Sequence, residues 1–304
     1  MLIDKRHNLL SGTEADSSVY EPWRLRERLE LLDSLDAGFG DLEPGAFGKD
    51  AMRRAQDSAH LIRSGLEAIN AEVYRSIRSE IVRRVMHGPQ EGAVLRWFQT
   101  SASGEATGNP APGIAYDWRD DLLSGILQLR EPVEQRDLNR CGAREMVFYQ
   151  PTPARHILRL IAACALSEED VFVDLGSGLG HVPLLVSMMT GGVTGVKCLG
   201  IEVEAAYVAT ARECAHSLHL DRVHFIHDDA RSADLSGGTV FYLYSAFTGS
   251  IMADVLARLR KESAQRRIRI GTLGPCTSTI AREPWLTAST LPDPNQITVF
   301  TSGD

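Results

Sequence analysis

A short glycine-rich segment with acidic residues around it is the part of the sequence best suited to chemistry. Residues 173–180 read Val-Asp-Leu-Gly-Ser-Gly-Leu-Gly, so Gly176, Gly178 and Gly180 directly follow a short apolar run. Glycines let the backbone turn sharply and let a ligand approach where a Cβ would otherwise stand. Asp174 precedes the first glycine by two residues, and its carboxylate favours a positively charged ligand group such as an α-amino group. The segment therefore predicts a ligand-binding loop after a buried strand.

Two further acidic residues follow the next two predicted strands. Glu202 ends the run Leu-Gly-Ile-Glu, where a carboxylate can accept both hydroxyls of a ribose. Asp229 and Ala230 follow the third run and are placed to face the edge of an adenine ring. In a dinucleotide-binding loop the third glycine comes five residues after the first, but that position is His181 here. The spacing favours a nucleoside ligand that carries no diphosphate.

Taken together, the glycine loop and its acidic partners resemble the class I S-adenosylmethionine (SAM) methyltransferases. The resemblance covers residues 146–304. It implies an α/β fold, a Rossmann-like sheet with helices on both faces, that uses SAM as cosubstrate or sole substrate. By this resemblance the SAM site includes Asp174, the three glycines and Glu202, with Asp229 and Ala230 at the adenine.

A closer resemblance begins just upstream of the loop. Tyr149-Gln150-Pro151-Thr152 precedes it, as a Tyr-x-x-Thr segment does in the non-SET histone-lysine methyltransferases, the disruptor-of-telomeric-silencing family. That segment caps the methionine end of SAM in the family, so the resemblance implies that Tyr149 and Thr152 line the SAM pocket. The family also has an Asn-Phe-Ala-Phe type segment after the fourth strand, whereas residues 244–247 here are Tyr-Ser-Ala-Phe. Fold and cofactor carry over from this family, but lysine methylation does not.

Aromatic residues are frequent around the predicted pocket. An aromatic face stabilises a cation by about 0.5–2 kcal/mol, and the sulfonium of SAM is a cation. Strand alternation puts Tyr242 and Tyr244 on one face, with Tyr244 at the carboxyl end of the strand; Tyr242 and Phe247 fit a hydrophobic core equally well. We expect Tyr244 and Phe247 to contact SAM. Tyr149, Tyr244 and Asn139 are the candidate catalytic residues.

Three functions are consistent with this site. The first is a methyltransferase acting on a small molecule or peptide in specialised metabolism, that is, natural-product biosynthesis. The second is a SAM lyase or cyclase, in which the α-amino group of SAM attacks its own γ-carbon, forms azetidine-2-carboxylate and expels methylthioadenosine. The third is a SAM-binding regulatory protein without turnover. The acceptor of a methyl group cannot be read from the residues.

Composition and charge narrow the partners of the protein. The chain has 304 residues and a net charge of −8, from 32 basic and 40 acidic residues. No basic lobe is present in either half, which argues against nucleic acid or an anionic membrane as a partner. Five scattered cysteines without Cys-x-x-Cys spacing favour reduced thiols in the cytoplasm and no structural zinc. No apolar run reaches the length of a membrane span.

The apolar periodicity divides the chain into two parts. Residues 1–145 show helical spacing and predict an all-α domain that serves as a lid, a substrate domain or a dimerisation surface, so a homodimer is possible. Residues 146–304 alternate between strand and helix and predict a parallel sheet. The predicted helices cover 22–38, 50–87, 116–130, 153–165, 181–189 and a segment ending near 218. The predicted strands are 171–173, 197–203, 223–226, 240–244 and 267–273, followed by an antiparallel pair at 285–289 and 297–301.

Overall fold

A computed structural model describes residues 17–39, 49–87, 96–98, 114–132, 149–191, 195–244 and 247–303. Two compact units are present within these residues. The first unit comprises residues up to 78 together with 121–126. The second comprises residues 79–120 and those from 127 onward. The predicted division at residue 145 lies outside the described residues and stays a prediction.

The first unit is helical, as the apolar spacing predicted. Helix α1 is Leu25–Phe39, helix α2 is Lys49–His87, and helix α3, Trp118–Leu127, contributes its middle residues. A small apolar cluster forms its core, and its members are Val19, Leu35, Ala59, Ile62 and Leu66. Arg28 is fully buried beside it and donates to Asn70 Oδ1 (2.7 Å) and to the carbonyl oxygen of Val19 (2.9 Å). The buried guanidinium therefore stabilises the turn that precedes α1.

The second unit contains a seven-stranded sheet in the order β3-β2-β1-β4-β5-β7-β6. Its strands are β1 Val171–Leu175, β2 Lys197–Glu202, β3 Val223–His227, β4 Val240–Tyr244, β5 Arg269–Leu273, β6 Leu286–Ala288 and β7 Thr298–Ser302. The first five pair in parallel, and β7 runs antiparallel to both β5 and β6. This confirms the predicted α/β fold with a Rossmann-like methyltransferase sheet, including the antiparallel closing pair.

Helices alternate with the strands along the chain and pack against the sheet. They are α4 Ala154–Cys164, α5 His181–Met189, α6 Ala205–Ser217, α7 Gly249–Ser263 and the short α8 Cys276–Ile280. For the predicted helix at 153–165 the sequence favours an inward face of Ile157, Leu158 and Ile161, and this prediction is wrong for Leu158 and Ile161. Leu158 and Ile161 are half-buried, whereas Leu160 and Cys164 are buried beside Ile157. The buried stripe follows steps of three and four from Ile157, so the helix is rotated relative to the prediction.

One apolar core cluster of this unit lies between the sheet and helix α7. It contains Val173, Leu175, Phe241, Leu243, Val255 and Leu259 among others. In the sheet order, β2 and β4 lie on opposite sides of β1, so the chain leaves β1 in one direction and later returns to its other side. Ligands of such sheets bind outside the carboxyl ends of the strands at this reversal. The glycine loop follows β1 at that position.

Behind the glycine loop, the aromatic ring of Phe225 occupies the space that a side chain at Gly180 or at Gly200 would need. A Cβ at Gly180, whose φ is +86°, would lie 2.5 Å from Phe225 Cζ, and a Cβ at Gly200 would lie 2.5 Å from Phe225 Cδ1. Real Cβ atoms do not approach other carbons this closely, so both positions require glycine while Phe225 is present. The loop, β2 and β3 are packed together through this single side chain.

In the described ranges, no helix combines the length and the apolar character that crossing a membrane demands.

Candidate functional site

The glycine loop joins β1 to α5 and is held against the end of β2. The backbone N–H groups of Gly176 and Ser177 both donate to the carbonyl oxygen of Ile201, at 2.9 and 3.0 Å. Gly176, Gly178 and Gly180 have φ values of +86°, +52° and +86°, the left-handed region that glycine enters without a Cβ penalty. Glycine therefore occurs at these three positions because the backbone has a positive φ at each of them.

The ring of Tyr149 lies directly on this loop. A Cβ at Gly178 would stand 2.1 Å from Tyr149 Cε2, so glycine is required there for a second reason besides its φ. The structure thus brings the predicted pocket residue Tyr149 to the predicted loop, although 28 intervening positions separate them in the sequence.

Glu202 connects the loop to the end of β2. Its carboxylate is buried, and Oε2 accepts the Gly178 N–H at 2.8 Å. Oε1 accepts the N–H groups of Val203 and Glu204, at 2.8 and 2.9 Å. Burial raises the pKa of Glu202, and these backbone hydrogen bonds oppose the rise. Oε2 accepts only this one bond among the described residues, which leaves it able to accept a hydroxyl from a ligand.

Asp174 is buried at the end of β1 without a compensating cation. Only 4% of it is exposed, and within the described parts of the chain its carboxylate makes no hydrogen bond or ion pair. Burial, and next the nearby charge of Glu202, raise the pKa of Asp174 well above the usual carboxyl value. Buried carboxylates are normally paired, so this one has the character of a group whose partner is a ligand.

Tyr149 belongs to a set of aromatic and polar groups beside the loop. Its phenol O–H lies 2.9 Å from His181 Nδ1, and its ring centroid lies 5.2 Å from that of Tyr207. Tyr207 in turn donates its O–H to Glu131 Oε1 at 2.8 Å. Burial lowers the pKa of His181 to about 4 and raises that of Tyr149. At neutral pH both side chains are therefore uncharged, and one hydrogen bond joins the phenol oxygen to Nδ1.

Thr152 ties the same segment to the sheet. Its Oγ1 lies 3.1 Å from the hydroxyl of Tyr242 on β4, and both side chains are buried. Tyr242 is 1% exposed, and burial raises its pKa well above the usual phenol value. Tyr242 is thus a core residue whose hydroxyl bonds Thr152, one of the two possibilities that the sequence left open.

The residues predicted at the carboxyl ends of β3 and β4 lie in different environments. Tyr244 ends β4 half-buried, and burial raises its pKa to about 12. Phe247 and Ala230 are members of the hydrophobic core cluster. Asp229 is bound through its carboxylate to Arg231, at 2.6 Å from Oδ2 to Nη2. Asn139 lies outside the described residues.

Four residues near the site were not predicted as part of it. The sequence favours a packing role for His181, which directly follows the glycine loop, and it does not single out Tyr207, Tyr116 or Asp120. Tyr116 and Asp120 contact the segment of Tyr149 through backbone groups. Their only signal in the sequence is position near the start of a predicted helix, which does not reveal a contact with a distant segment. No group of three or more potential metal ligands is found in the ranges that the structure describes.

The groups around the loop fit the chemistry of SAM. Asp174 offers an unpaired negative charge to an ammonium group, and Glu202 Oε2 offers an acceptor to a ribose hydroxyl. The Tyr149 ring lies on the loop at Gly178, and its hydroxyl is hydrogen-bonded to His181. Donor and acceptor types thus match a nucleoside with a cationic amino-acid tail.

Comparison with known proteins gives a family match. A family model described as histone methylation protein DOT1 matches residues 133–241. No curated protein sequence matches the chain significantly.

Solved structures of methyltransferases are also similar to the chain. An RNA methyltransferase from Salinibacter ruber, in complex with S-adenosyl-L-homocysteine, is 25% identical with a TM-score of 0.38, over 50% of this chain and 92% of its own. A human methyltransferase 10 domain containing protein is 13% identical with a TM-score of 0.40, over 60% and 92%. A precorrin-6y C5,15-methyltransferase from Geobacter metallireducens is 13% identical with a TM-score of 0.40, over 52% and 92%.

The family match, the glycine loop and the sheet order agree with one another. The matched residues include the loop and Glu202 and end at the second residue of β4, and the sheet has the Rossmann-like methyltransferase arrangement. Residues 133–241 match the DOT1 family, a family of class I SAM-dependent methyltransferases, and this match agrees with SAM as the cofactor.

Proposed function

We propose that the protein transfers the methyl group of SAM to a small molecule or a peptide, in specialised metabolism. The observation that carries the proposal is the pair of buried carboxylates beside the loop. Asp174 has no partner in the described parts of the chain, and Glu202 anchors Gly178 while keeping an acceptor free. These groups support binding of the cofactor, and Tyr244 at the end of β4 supports an acceptor other than the histone lysine of the similar family.

The contribution of the chain to methyl transfer is mainly positioning. SAM supplies an electrophilic methyl group on a sulfonium when it is bound. Asp174 would hold the amino group of SAM, and Glu202 would hold its ribose. Tyr149, which is hydrogen-bonded to His181, would face the amino-acid end. Holding two reactants in line is worth up to about 7–11 kcal/mol of the barrier. A precisely packed loop therefore matters more here than a strong base.

The protonation states of the pocket favour an acceptor that is already nucleophilic. Burial raises the pKa of Tyr244 to about 12 and also raises that of Tyr149, so both phenols are protonated at neutral pH. His181 is neutral, but a pKa of about 4 makes it a weak base. An amine with a free lone pair, which loses its proton to solvent after the transfer, suits these groups better than an alcohol.

The proposed partners follow from charge and from the site. An acidic chain with a net charge of −8 favours a small-molecule substrate, or SAM alone, over nucleic acid or a membrane surface. A cytoplasmic location and a homodimer formed through the helical residues complete the proposal. The oligomeric state is checked by light scattering of the purified protein.

Two alternatives use the same site. A SAM cyclase would join the α-amino nitrogen to the γ-carbon, break the bond from that carbon to sulfur and lose one proton from nitrogen. The family match and the solved structures named above give this alternative no support. A regulatory protein would bind SAM without turnover.

One experiment separates the three functions. The protein is incubated with SAM alone and with a panel of amines, and the products are identified by mass spectrometry, with Glu202→Ala as the control. S-adenosylhomocysteine that appears only with an acceptor supports the methyltransferase. Methylthioadenosine without any acceptor supports the cyclase and overturns the main proposal. Measurable SAM affinity without turnover supports the regulatory protein.

A further inference from the structure

The segment that carries Tyr149 and Thr152 is held by residues that lie more than thirty positions earlier. Asp120 Oδ1 accepts the backbone N–H of Ala154 at 2.7 Å, and Asp120 Oδ2 accepts the N–H of Asp117 at 2.7 Å. Tyr116 donates its O–H to the carbonyl oxygen of Pro151 at 2.8 Å. These two side chains therefore grip the backbone at both ends of Pro151–Ala154.

Helix α4 needs this contact because it has no cap of its own. Its N-cap residue is Pro153, which makes no side-chain hydrogen bond to the helix. Ala154 is fully buried, so its N–H cannot turn to water, and the first N–H groups of a helix have no partner within it. Asp120 supplies the acceptor that a serine or aspartate at the N-cap usually provides.

The gripped residues lie next to the groups that face the cofactor site. Thr152 lies inside Pro151–Ala154 and bonds Tyr242, while Tyr149 lies two residues before it on Gly178. A shift of this short segment would move the Tyr149 ring off the loop and break its contact with His181. The adenosine side of the site depends instead on Glu202 and on β2 and β3, which neither Asp120 nor Tyr116 contacts in the described parts of the chain.

We propose that Asp120 is a positioning residue for the amino-acid end of the SAM site, with Tyr116 in a supporting role. Through the Ala154 N–H, Asp120 sets where Tyr149 and Thr152 stand over the glycine loop. This inference rests on the proposed function, because it assumes that Tyr149 faces the methionine end of SAM.

The test compares SAM with a ligand that lacks that end and, with it, the positive charge on sulfur. Calorimetry measures the affinity for SAM and for methylthioadenosine, which has the adenosine and the sulfur but no amino-acid tail. We expect Asp120→Ala to weaken SAM binding at least tenfold and methylthioadenosine binding less than twofold. Asp120→Asn, which keeps an acceptor for Ala154, restores SAM affinity to within about threefold of the wild type. Asp254→Ala, an exposed carboxylate on α7, changes neither affinity.

A second variant keeps the proposal open to refutation if Asp120→Ala does not fold. Tyr116→Phe removes only the hydroxyl that bonds Pro151, and we expect a loss of about threefold for SAM alone. Equal losses for both ligands would show a general structural role and overturn the inference. Unchanged SAM affinity in folded Asp120→Ala would overturn it as well. A wild-type protein that binds methylthioadenosine and SAM equally well would refute a role for the tail, and one that binds neither would refute the proposed function itself.

Discussion

The carboxyl ends of β1 and β2 differ in kind from those of β3 and β4. At the first pair, Asp174 and Glu202 are buried carboxylates with raised pKa values, and no cation neutralises them among the described residues. At the second pair, Asp229 is bound to Arg231, and Phe247 packs into the core. The two carboxylates of the first pair thus have no cationic partner among the described residues, whereas the carboxylate after β3 has one.

This difference shows which acidic residues remain available to a ligand. A carboxylate that has an arginine partner gains little from a further partner, because its charge is already balanced. A buried carboxylate without a cation destabilises the free protein and recovers that free energy when a cationic ligand binds. Under the proposed function we therefore expect the carboxylates that bind the ligand to be those at β1 and β2, and the following variants test that contrast.

The largest effect is expected for Glu202→Ala. Three backbone N–H groups lose their acceptor, of which only that of Gly178 is in a fully buried hydrogen bond, and an unsatisfied buried donor costs about 1–3 kcal/mol. We expect SAM affinity to fall at least tenfold, about 1.4 kcal/mol, and the free energy of unfolding to fall by about 2–3 kcal/mol. Calorimetry and urea denaturation measure the two quantities. Glu213→Ala, an exposed carboxylate on α6, is the control, and unchanged SAM affinity in Glu202→Ala would sink the assignment.

Next in size is the effect of Gly178→Ala. The φ of +52° is strained for alanine, at about 1–2 kcal/mol, and the new Cβ collides with the Tyr149 ring. We expect a lower melting temperature and a SAM affinity reduced about tenfold. Gly237→Ala is a matched control, because no atom lies within 4 Å of its added Cβ. If both variants have the same melting temperature and the same SAM affinity, the contact between Tyr149 and the loop does not contribute to SAM binding.

Asp174→Asn is expected to separate stability from binding. The pKa of Asp174 is raised in the folded state, so the folded protein binds its proton more tightly than the unfolded chain does. The contribution of Asp174 to the free energy of unfolding of the wild type is therefore greatest below pH 4, near its pKa in the unfolded chain. This contribution is lost as the pH rises through the pKa of Asp174 in the folded protein. The amide has no charge, so the free variant should be more stable than the wild type by about 1 kcal/mol at pH 8.

The stability difference should shrink as the pH falls towards 4, while SAM affinity at pH 8 should be lower in Asp174→Asn than in the wild type. Urea denaturation at both pH values and calorimetry measure these quantities. A variant less stable than the wild type at pH 8 would contradict the account of Asp174 as an unpaired charge.

The smallest effect is expected for Asp229→Asn. Its carboxylate lies in a partly exposed pair with Arg231, and such pairs contribute about 0–1 kcal/mol. We expect less than a twofold change in SAM affinity and about 0.5 kcal/mol or less in stability, measured as for the other variants. A tenfold loss of affinity would place Asp229 with Asp174 and Glu202 and break the contrast between the two edges.

Much of this architecture could be predicted because its signals are local. The helix His181–Met189 and the strand Val240–Tyr244 were predicted with the bounds that the structure shows. Both have strong apolar runs, and a glycine loop precedes the helix. The fold class and the antiparallel closing pair follow from the order of such runs.

The contacts that shape the site are not local and left no periodic signal. The bond between Tyr149 and His181 spans 32 positions, and the bond from Asp120 to Ala154 spans 34. The partner of Asp229 is only two residues away, but nothing in residue order shows whether that arginine turns inward or outward. Side-chain direction at the strand ends depends on packing, which a single sequence does not reveal.

The packing of Phe225 against Gly180 and Gly200 has a consequence for how this chain can change. One ring occupies the places of two Cβ atoms, so these three positions form a unit that must vary in concert. Phe225→Ala would remove the closest atoms to an added Cβ at either glycine, but Ser177 Oγ would still lie 2.7 Å from a Cβ at Gly200, and Gly180 would keep its φ of +86°. A library that aims at alanine at 200 must therefore randomise 177 together with 225.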